Sequence, residues 1–480
     1  MMPDHRTPPL PSINQAELAD ATADLREANL EFARRHPGDP PGRQPVHTVY
    51  GGAQLFGADA AAKIAGVARR AMDEYVATPA ALGEMLDVAG HRSLDAVHAR
   101  VREKLAREAV EDFRVDFEDG YGNRPDDEED HHAVVVGEEL ARGIADGTLP
   151  PFIGIRVKTL TEELRLRSMR TLDVVLTTLV TQAGALPDNF VVTIPKVTMV
   201  EQVDYVVAVL RQLERTLGLA KRALRFEVMV ETPQIIIDHE GRSLLPRLVE
   251  VSDGRLTGAH FGTYDYTASL NITAAHQRMA HPANDFAKHV MQVTLAGTGV
   301  WLSDGSTAVL PVPVHRTTPG SALTTQQQAE NRAAMRDAWR MHFGDVLHSL
   351  EGGFYQGWDL HPAQLVTRYA ALYFFFLDGI EAAGARLKNF VEKAAQATLV
   401  GNVFDDAATG QGLLNFFLRG INSGAVTEAE ALRMTGLTEE DFRGRSFVRI
   451  MNARTGMAAD TARCRPPSTS CSTTPHAGST

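Results

Sequence analysis

The sequence predicts an α/β protein built on a closed (β/α)8 barrel, a TIM barrel, with an N-terminal extension and a C-terminal helical region. Short Val/Ile/Phe-rich runs alternate with longer helical stretches, which is typical of parallel strands joined by helices. Polar residues that end successive strands lie 40, 40, 35 and 34 residues apart. An open doubly wound sheet is the alternative, but no glycine-rich phosphate-binding turn follows the first strand.

Eight β-rich runs supply the predicted barrel, and most of them are apolar on both faces, as strands of a covered parallel sheet should be. They lie near these residues: Val46, Phe113, Phe152, Phe190, Arg225, Leu256, Ala308 and Gly353. Eight strands joined by helices would place the active site at the carboxyl ends of the strands.

The chain divides into four predicted regions. Residues 1–45 are rich in Pro, Arg and Asp and form an extension with one helical stretch near Glu17 to Arg35. Residues 46–376 form the barrel. Residues 377–460 have the pattern of helices without strands, and the low-complexity residues 461–480 are predicted to be disordered.

Composition excludes several classes of function. The 480 residues are 44% hydrophobic and carry a formal net charge of −12, which argues against binding to nucleic acid or to an anionic membrane surface. No apolar run is long enough to span a bilayer, and the N-terminus lacks the pattern of a signal peptide. The two cysteines, Cys464 and Cys471, both lie in the tail, so a reducing cytoplasm is the expected location.

Charged residues at the strand ends form the candidate site. The second strand is followed by three carboxylates, and the next four strands end in charged residues as well; the set is Asp116, Glu118, Asp119, Arg156, Lys196, Glu231 and Asp265. If the barrel closes, these side chains converge on one mouth. The structural alternatives are an ion pair of Arg156 with Asp116 or Glu118, and helix capping by Glu231 or Asp265.

Glu231 and Asp265 are the predicted metal ligands. Proteins usually supply one or two carboxylate ligands to a Mg²⁺ site, and two carboxylates from adjacent strands fit that pattern. Mn²⁺ is an alternative, whereas no His/Cys cluster in the sequence favours a softer metal. A hard cation that chelates a 2-oxo acid acts as a Lewis acid. Arg156 is then the predicted catalytic group that stabilises a developing enolate oxygen.

The motifs "VDFEDG", "GIRVK", "IPKV", "MVETP", "FGTYDYTASL" and "WDLHPAQL" occur in this order over residues 46–372. Their order and spacing resemble the HpcH/HpaI aldolase and citrate lyase β-subunit family of the phosphoenolpyruvate/pyruvate barrel superfamily. The resemblance implies that Glu231 and Asp265 bind the metal. Arg156 would bind the substrate carbonyl, and Glu231, Lys196 and His361 would be further substrate contacts.

The resemblance also implies roles for the acidic cluster after the second strand, and the sequence departs from the family pattern at two positions. Asp116, Glu118 and Asp119 would orient the site or carry protons. Asp119 stands where the aldolase branch often has His, and Tyr266 stands where the family usually has Leu. The stretch "DFED" is closer to the one seen in malate synthases.

The resulting hypothesis is a Mg²⁺-dependent carbon–carbon lyase or aldolase that acts on a small oxo or hydroxy acid, free or as its CoA thioester. A condensing enzyme similar to malate synthase is one alternative. A non-catalytic barrel that serves in binding or assembly is the other. The family resemblance also implies a homo-oligomer.

Overall fold

The structure is a computed structural model that describes residues 12–317, 321–392, 398–400, 403–405 and 407–454. Its chain divides into two compact units, one up to Phe375 and the other from Phe376. The predicted disordered tail, residues 461–480, lies outside the described residues. Among the described helices, none combines the length and the apolar character that a bilayer crossing requires.

Eight parallel strands form the barrel that the sequence predicts. They are β1 His47–Gly52, β2 Asp112–Asp116, β3 Phe152–Arg156, β4 Phe190–Ile194, β5 Arg225–Val230, β6 Leu256–Phe261, β7 Trp301–Ser303 and β8 Gly357–Asp359. They pair in the order β7-β6-β5-β4-β3-β2-β1-β8. Backbone bonds from Asp304 N to Gln356 O (2.8 Å) and from Trp358 N to Gly305 O (3.0 Å) link the chain after β7 to β8.

Helices precede, connect and follow the strands of the barrel, and the last of them continues past Phe375 into the second unit. In chain order they are α1 Gln15–Ala21, α2 Ala23–Arg35, α3 Ala60–Tyr75, α4 Pro79–Leu86, α5 Leu94–Arg107, α6 Asp126–Asp146, α7 Arg165–Ala183, α8 Val200–Thr216, α9 Pro233–Ile236, α10 Leu245–Val251, α11 Thr263–Ser269, α12 Pro282–Leu295, α13 Thr325–Glu351 and α14 Gln364–Glu392. The helical stretch predicted in the extension is therefore two helices, α1 and α2.

The second unit is mainly helical, but the prediction that it has no strands was wrong. A short antiparallel hairpin, β9 Thr398–Val400 and β10 Val403–Asp405, precedes the four helices that the structure describes after it. Those helices are α15 Ala407–Asn422, α16 Glu428–Thr435, α17 Glu439–Gly444 and α18 Phe447–Arg454.

The seventh strand lies earlier than the sequence predicts. The run "AVLPVPV" at Ala308 is not a strand, because Pro311 and Pro313 have no N–H to donate to a ladder. The strand is instead Trp301–Ser303, only three residues long, and its pairing partner is β6.

The interior of the barrel is polar, although the strands look apolar on both faces in sequence. On β2, Phe113 and Val115 lie on the outward face, whereas Asp112, Arg114 and Asp116 alternate with them. Arg114 bonds to Glu227 on β5, and a contact between strands that are not neighbours in the sheet must run through the interior. The second strand therefore points a column of charge inward.

Candidate active site

The charged strand ends meet at the carboxyl-terminal mouth of the barrel. Arg156, at the end of β3, donates from Nε to Asp116 Oδ1 (2.7 Å) and from Nη2 to Oδ2 (2.5 Å). Its Nη1 lies 3.2 Å from Glu118 Oε2. The ion pair considered as a structural alternative is therefore present, and it fixes the guanidinium at the site.

The loop after β2 folds around the carboxylate of Asp116. Its two oxygens accept the backbone N–H groups of Glu118 (2.9 Å) and Gly120 (2.8 Å). A Cβ on Gly120 would lie 2.7 Å from Asp116 Oδ2, so this close approach requires glycine. The loop therefore directs Glu118 and Asp119 toward the cations of the site.

Lys196 links four strand ends. Its Nζ contacts Glu118 and lies 3.2 Å from Asp119 Oδ2 and 3.5 Å from Asp265 Oδ2. Its backbone N–H donates to Glu231 Oε1 at 2.7 Å. Burial alone would lower the pKa of Lys196, but the charges of Glu231 and Glu118 outweigh it and raise that pKa, which keeps the side chain an ammonium.

Glu231 and Asp265, the predicted metal ligands, both contact Lys196 but lie in different environments. Glu231 is 2% exposed, and its Oε1 accepts the bond described above. Burial raises the pKa of Glu231 to about 8; the charge of Lys196 opposes this effect, and the nearby carboxylate of Asp265 adds to it. The Asp265 side chain is 42% exposed and lies in the first turn of α11.

Glu118 and Asp119 differ in the direction in which the pKa of the carboxyl group is shifted. Burial raises the pKa of Glu118, although Arg156 and Lys196 oppose it. For Asp119 burial acts in the same direction, but its hydrogen bond with Glu118 and the charge of Lys196 lower the pKa below its ordinary value. Neighbouring carboxyls with pKa values moved apart can divide acid and base roles.

Two aromatic rings pack against the guanidinium of Arg156. Its Cζ lies 4.8 Å from the ring centre of Tyr50 and 5.8 Å from that of Trp358. The two rings also contact each other, with centres 4.5 Å apart. These cation–π contacts cover one face of the guanidinium, while its edge faces the carboxylates.

His361 lies apart from this cluster. Its Nδ1 accepts the backbone N–H of Ala363 (3.2 Å), and it lines a cavity of about 530 Å³ beside Tyr75 and His315. Burial lowers the pKa of its imidazole. None of the bonds found among the described residues joins His361 to the strand-end cluster, and its role as a substrate contact remains a prediction.

The residues at the mouth have the chemistry of a hard-metal site but supply few ligands. Within the described ranges, no group of three or more His, Cys, Asp or Glu side chains is arranged to hold a metal ion. Glu231 and Asp265 would thus supply two oxygens, and water and substrate would complete an octahedron. Glu231 Oε2 has no hydrogen-bond donor among the described residues, so it is available as a ligand.

A larger cavity, of about 1320 Å³, lies at the opposite end of the barrel. It is lined by the first residues of β3, β5, β6 and β7, which are Phe152, Arg225, Leu256 and Trp301, and by the segment that enters β1. Catalytic groups of (β/α)8 barrels sit at the carboxyl ends of the strands. The size of this cavity therefore does not make it the candidate active site.

The sequence reasoning missed the aromatic pair and the charged interior. Trp358 stands inside the quoted motif "WDLHPAQL", and Tyr50 precedes two glycines at the end of β1, so both positions were detectable. The alternation of Asp112, Arg114 and Asp116 has the period of a strand and indicates one charged face. The acidic loop that follows β2 is the stronger signal in the sequence and masks this alternation.

The fold and this cluster define a (β/α)8 barrel protein with an acidic carboxyl-terminal mouth. The chain belongs to the family described as Domain of unknown function (DUF6986), whose model matches residues 25–450. The more specific aldolase and citrate lyase assignment therefore remains a prediction. No curated protein matches this chain.

One solved structure shares the fold. A citrate lyase from Burkholderia xenovorans matches with a TM-score of 0.53 at 16% identity, over 83% of this chain and 98% of that chain. A magnesium/glyoxylate complex of Haloferax volcanii malate synthase matches with a TM-score of 0.44 at 13% identity, over 83% and 99% of the two chains. At 16% identity the match to the citrate lyase shows a shared fold and nothing more. The TM-score of the malate synthase match is too low to support a conclusion.

Proposed function

We propose that this protein is a Mg²⁺-dependent enzyme that cleaves a carbon–carbon bond next to a carbonyl in a small oxo or hydroxy acid. One observation carries the proposal, namely the imbalance of charge at the mouth. Among the described residues, five carboxyl groups lie around the two cations Arg156 and Lys196; they are those of Asp116, Glu118, Asp119, Glu231 and Asp265. Such a surplus beside a buried carboxylate favours binding of a cation.

Glu231 and Asp265 would hold the metal. Both offer oxygen, which Mg²⁺ prefers, and they come from the ends of neighbouring strands. When bound there, the ion would supply Lewis-acid polarisation of a carbonyl oxygen. A Cβ at Gly262 would lie 2.4 Å from Glu231 Oε2, so glycine at this position leaves room for that oxygen to be reached.

Arg156 would orient the acid substrate. Asp116 holds two of its N–H groups, whereas Nη1 makes longer contacts, at 3.2 Å with Glu118 and 3.9 Å with Asp119. A substrate oxygen could replace Glu118 at Nη1 without disturbing the bidentate pair. Tyr50 and Trp358 would keep water from the guanidinium face, which strengthens its interaction with a charge that develops during the reaction.

Glu118 and Asp119 would move the proton. Cleavage of a hydroxy acid removes a proton from the hydroxyl group and returns one to the enolate carbon. Asp119, with a side chain 60% exposed and a lowered pKa, is the ionised carboxylate of the two, so it has a free site for the proton and can exchange it with solvent. Glu118, with a side chain 9% exposed and a raised pKa, suits the group that holds a proton.

The test is an activity screen with Mg²⁺ or with EDTA. Oxaloacetate, 4-hydroxy-2-oxo acids, malyl-CoA and citramalyl-CoA test cleavage, and acetyl-CoA with glyoxylate tests the condensing alternative by thiol release. We expect cleavage that EDTA abolishes and that Glu231→Gln lowers at least about a hundredfold, because the variant lacks an anionic ligand. The matched control is Glu250→Gln, since the Glu250 side chain is 49% exposed on α10.

Calorimetric titration with Mg²⁺ separates an enzyme from a barrel that serves only in assembly. We expect binding heat in the wild type and in Glu250→Gln, and none in Glu231→Gln. Equal heats in all three proteins, together with no turnover of any substrate, would contradict the proposal.

A further inference from the structure

Lys196 occupies the centre of the proposed metal site. Its ammonium group contacts Glu118 and lies 3.2 Å from Asp119 and 3.5 Å from Asp265. Its own backbone N–H bonds to Glu231 at 2.7 Å. One residue therefore contacts both candidate metal ligands, one through its side chain and the other through its backbone.

The backbone of Lys196 has an uncommon conformation. Its φ is +50°, in the left-handed region that residues with a side chain rarely adopt. This conformation lies just after β4 and accompanies the bond from its N–H to Glu231. Strained conformations of this kind persist where the surrounding contacts fix them, and they are frequent at functional sites.

The ammonium and a metal ion would compete for the negative charge of Asp265 in this arrangement. In this structure the carboxylate of Asp265 faces the ammonium group of Lys196. A magnesium ion bound to Asp265 at about 2.1 Å would repel that ammonium group, because both are cations. Glu118 and Asp119 give the ammonium an alternative position, because both already contact it. Lys196 can therefore release Asp265 and remain paired.

We propose that Lys196 is an internal counter-ion, which neutralises Asp265 when the metal is absent, gives up this contact when the metal binds, and thereby sets the affinity for the metal. This inference rests on the proposed metal site. Lys196 acts here as a positioning residue through Asp265. A residue that only supported the site structurally would weaken metal binding when replaced, whereas a competing cation strengthens binding when removed.

The experiment is titration of the purified full-length chain with Mn²⁺, followed by calorimetry and by the spin-resonance signal of free Mn²⁺. Lys196→Asn removes the charge, and asparagine tolerates a positive φ. Lys196→Gly also tolerates it and serves as the second variant if the first does not fold. The control is Lys63→Met, since Lys63 forms an exposed pair with Asp59 on α3, with its side chain 72% exposed.

We expect Lys196→Asn to bind Mn²⁺ about tenfold more tightly than the wild type, while Lys196→Arg and Lys63→Met bind no more tightly. Unchanged or weaker binding in a folded Lys196→Asn protein would overturn the inference. Failure of the proposed site is distinct, because Glu231→Gln would then bind Mn²⁺ as well as the wild type does.

Discussion

Two buried arginines lie on neighbouring strands, Arg114 on β2 and Arg156 on β3. The carboxyl groups around them differ in how completely they are paired with hydrogen-bond donors. Arg114, inside the barrel, donates to Glu227 Oε2 (2.8 Å) and Thr193 Oγ1 (3.1 Å) and also contacts Asp112. Arg156, at the mouth, is held by Asp116 and Glu118 on one edge and by aromatic rings on one face.

The surroundings of the two arginines differ in how completely their carboxylates are paired. In the interior, Asp112 accepts from Arg114 and Thr48, and Glu227 accepts from Arg114 and His260. At the mouth, five carboxyl groups face two cations among the described residues, and the pKa values of two of them, Glu118 and Glu231, are raised. A saturated ion cluster in a protein interior serves the fold, whereas an unsaturated one is a place where a ligand can bind.

The largest expected effect concerns the interior. Arg114→Met removes the guanidinium that pairs with two buried carboxylates, Asp112 and Glu227, so the free energy of unfolding should fall by about 3–5 kcal/mol. Urea denaturation measures the change. Arg102→Met is the control, because its pair with Asp73 is 45% and 63% exposed and should be worth less than about 1 kcal/mol. A loss as small as that of the control would show that the interior cluster does not stabilise the fold.

The second effect is a dependence of stability on pH that comes from Glu231. Its folded pKa of about 8 exceeds the ordinary value of 4.5, so the folded protein keeps a proton that the unfolded chain has released. This contribution is complete below about pH 4.5 and is lost as the pH rises through about 8. In EDTA, the wild type should therefore lose stability relative to Glu231→Gln by roughly 1 kcal/mol per pH unit between these values.

Urea melts of both proteins at several pH values measure this slope. If the stability of the two proteins changed with pH in parallel, the pKa of Glu231 would be the same in the folded and the unfolded protein. The carboxyl groups at the mouth would then be as fully paired as those of the interior. Added Mg²⁺ should flatten the slope of the wild type, because an ion bound to the carboxylate keeps it deprotonated.

The smallest effect tests the space beside Glu231. A Cβ at Gly262 would lie 2.4 Å from Glu231 Oε2 and 2.5 Å from its Cβ, so Gly262→Ala must displace the carboxylate. We expect Mg²⁺ affinity to fall about tenfold, equivalent to about 1.4 kcal/mol, by calorimetry. The control is Gly344→Ala on α13, where no atom lies within 4 Å of the added methyl group. Unchanged affinity would show that this oxygen is not a ligand.

Local pattern was enough to predict much of the barrel. The runs that became β2 to β6 are bounded by polar residues, and the regular spacing of those residues predicts repeated strand–helix units. The seventh strand was misplaced because a three-residue strand has little signal, while a longer proline-containing run nearby resembles one. Strand length and backbone donors, rather than hydrophobicity, separate the two.

By itself, the sequence determined the (β/α)8 class and the set of charged residues at the strand ends, because strand period and motif spacing are local properties of the chain. The tertiary structure decided which of those charges are saturated, where the aromatic pair lies and how Lys196 is oriented. These features depend on contacts between strands that are far apart in sequence, such as those of Lys196 with Glu118 and Asp265. Only closure of the barrel brings such groups within reach of one another.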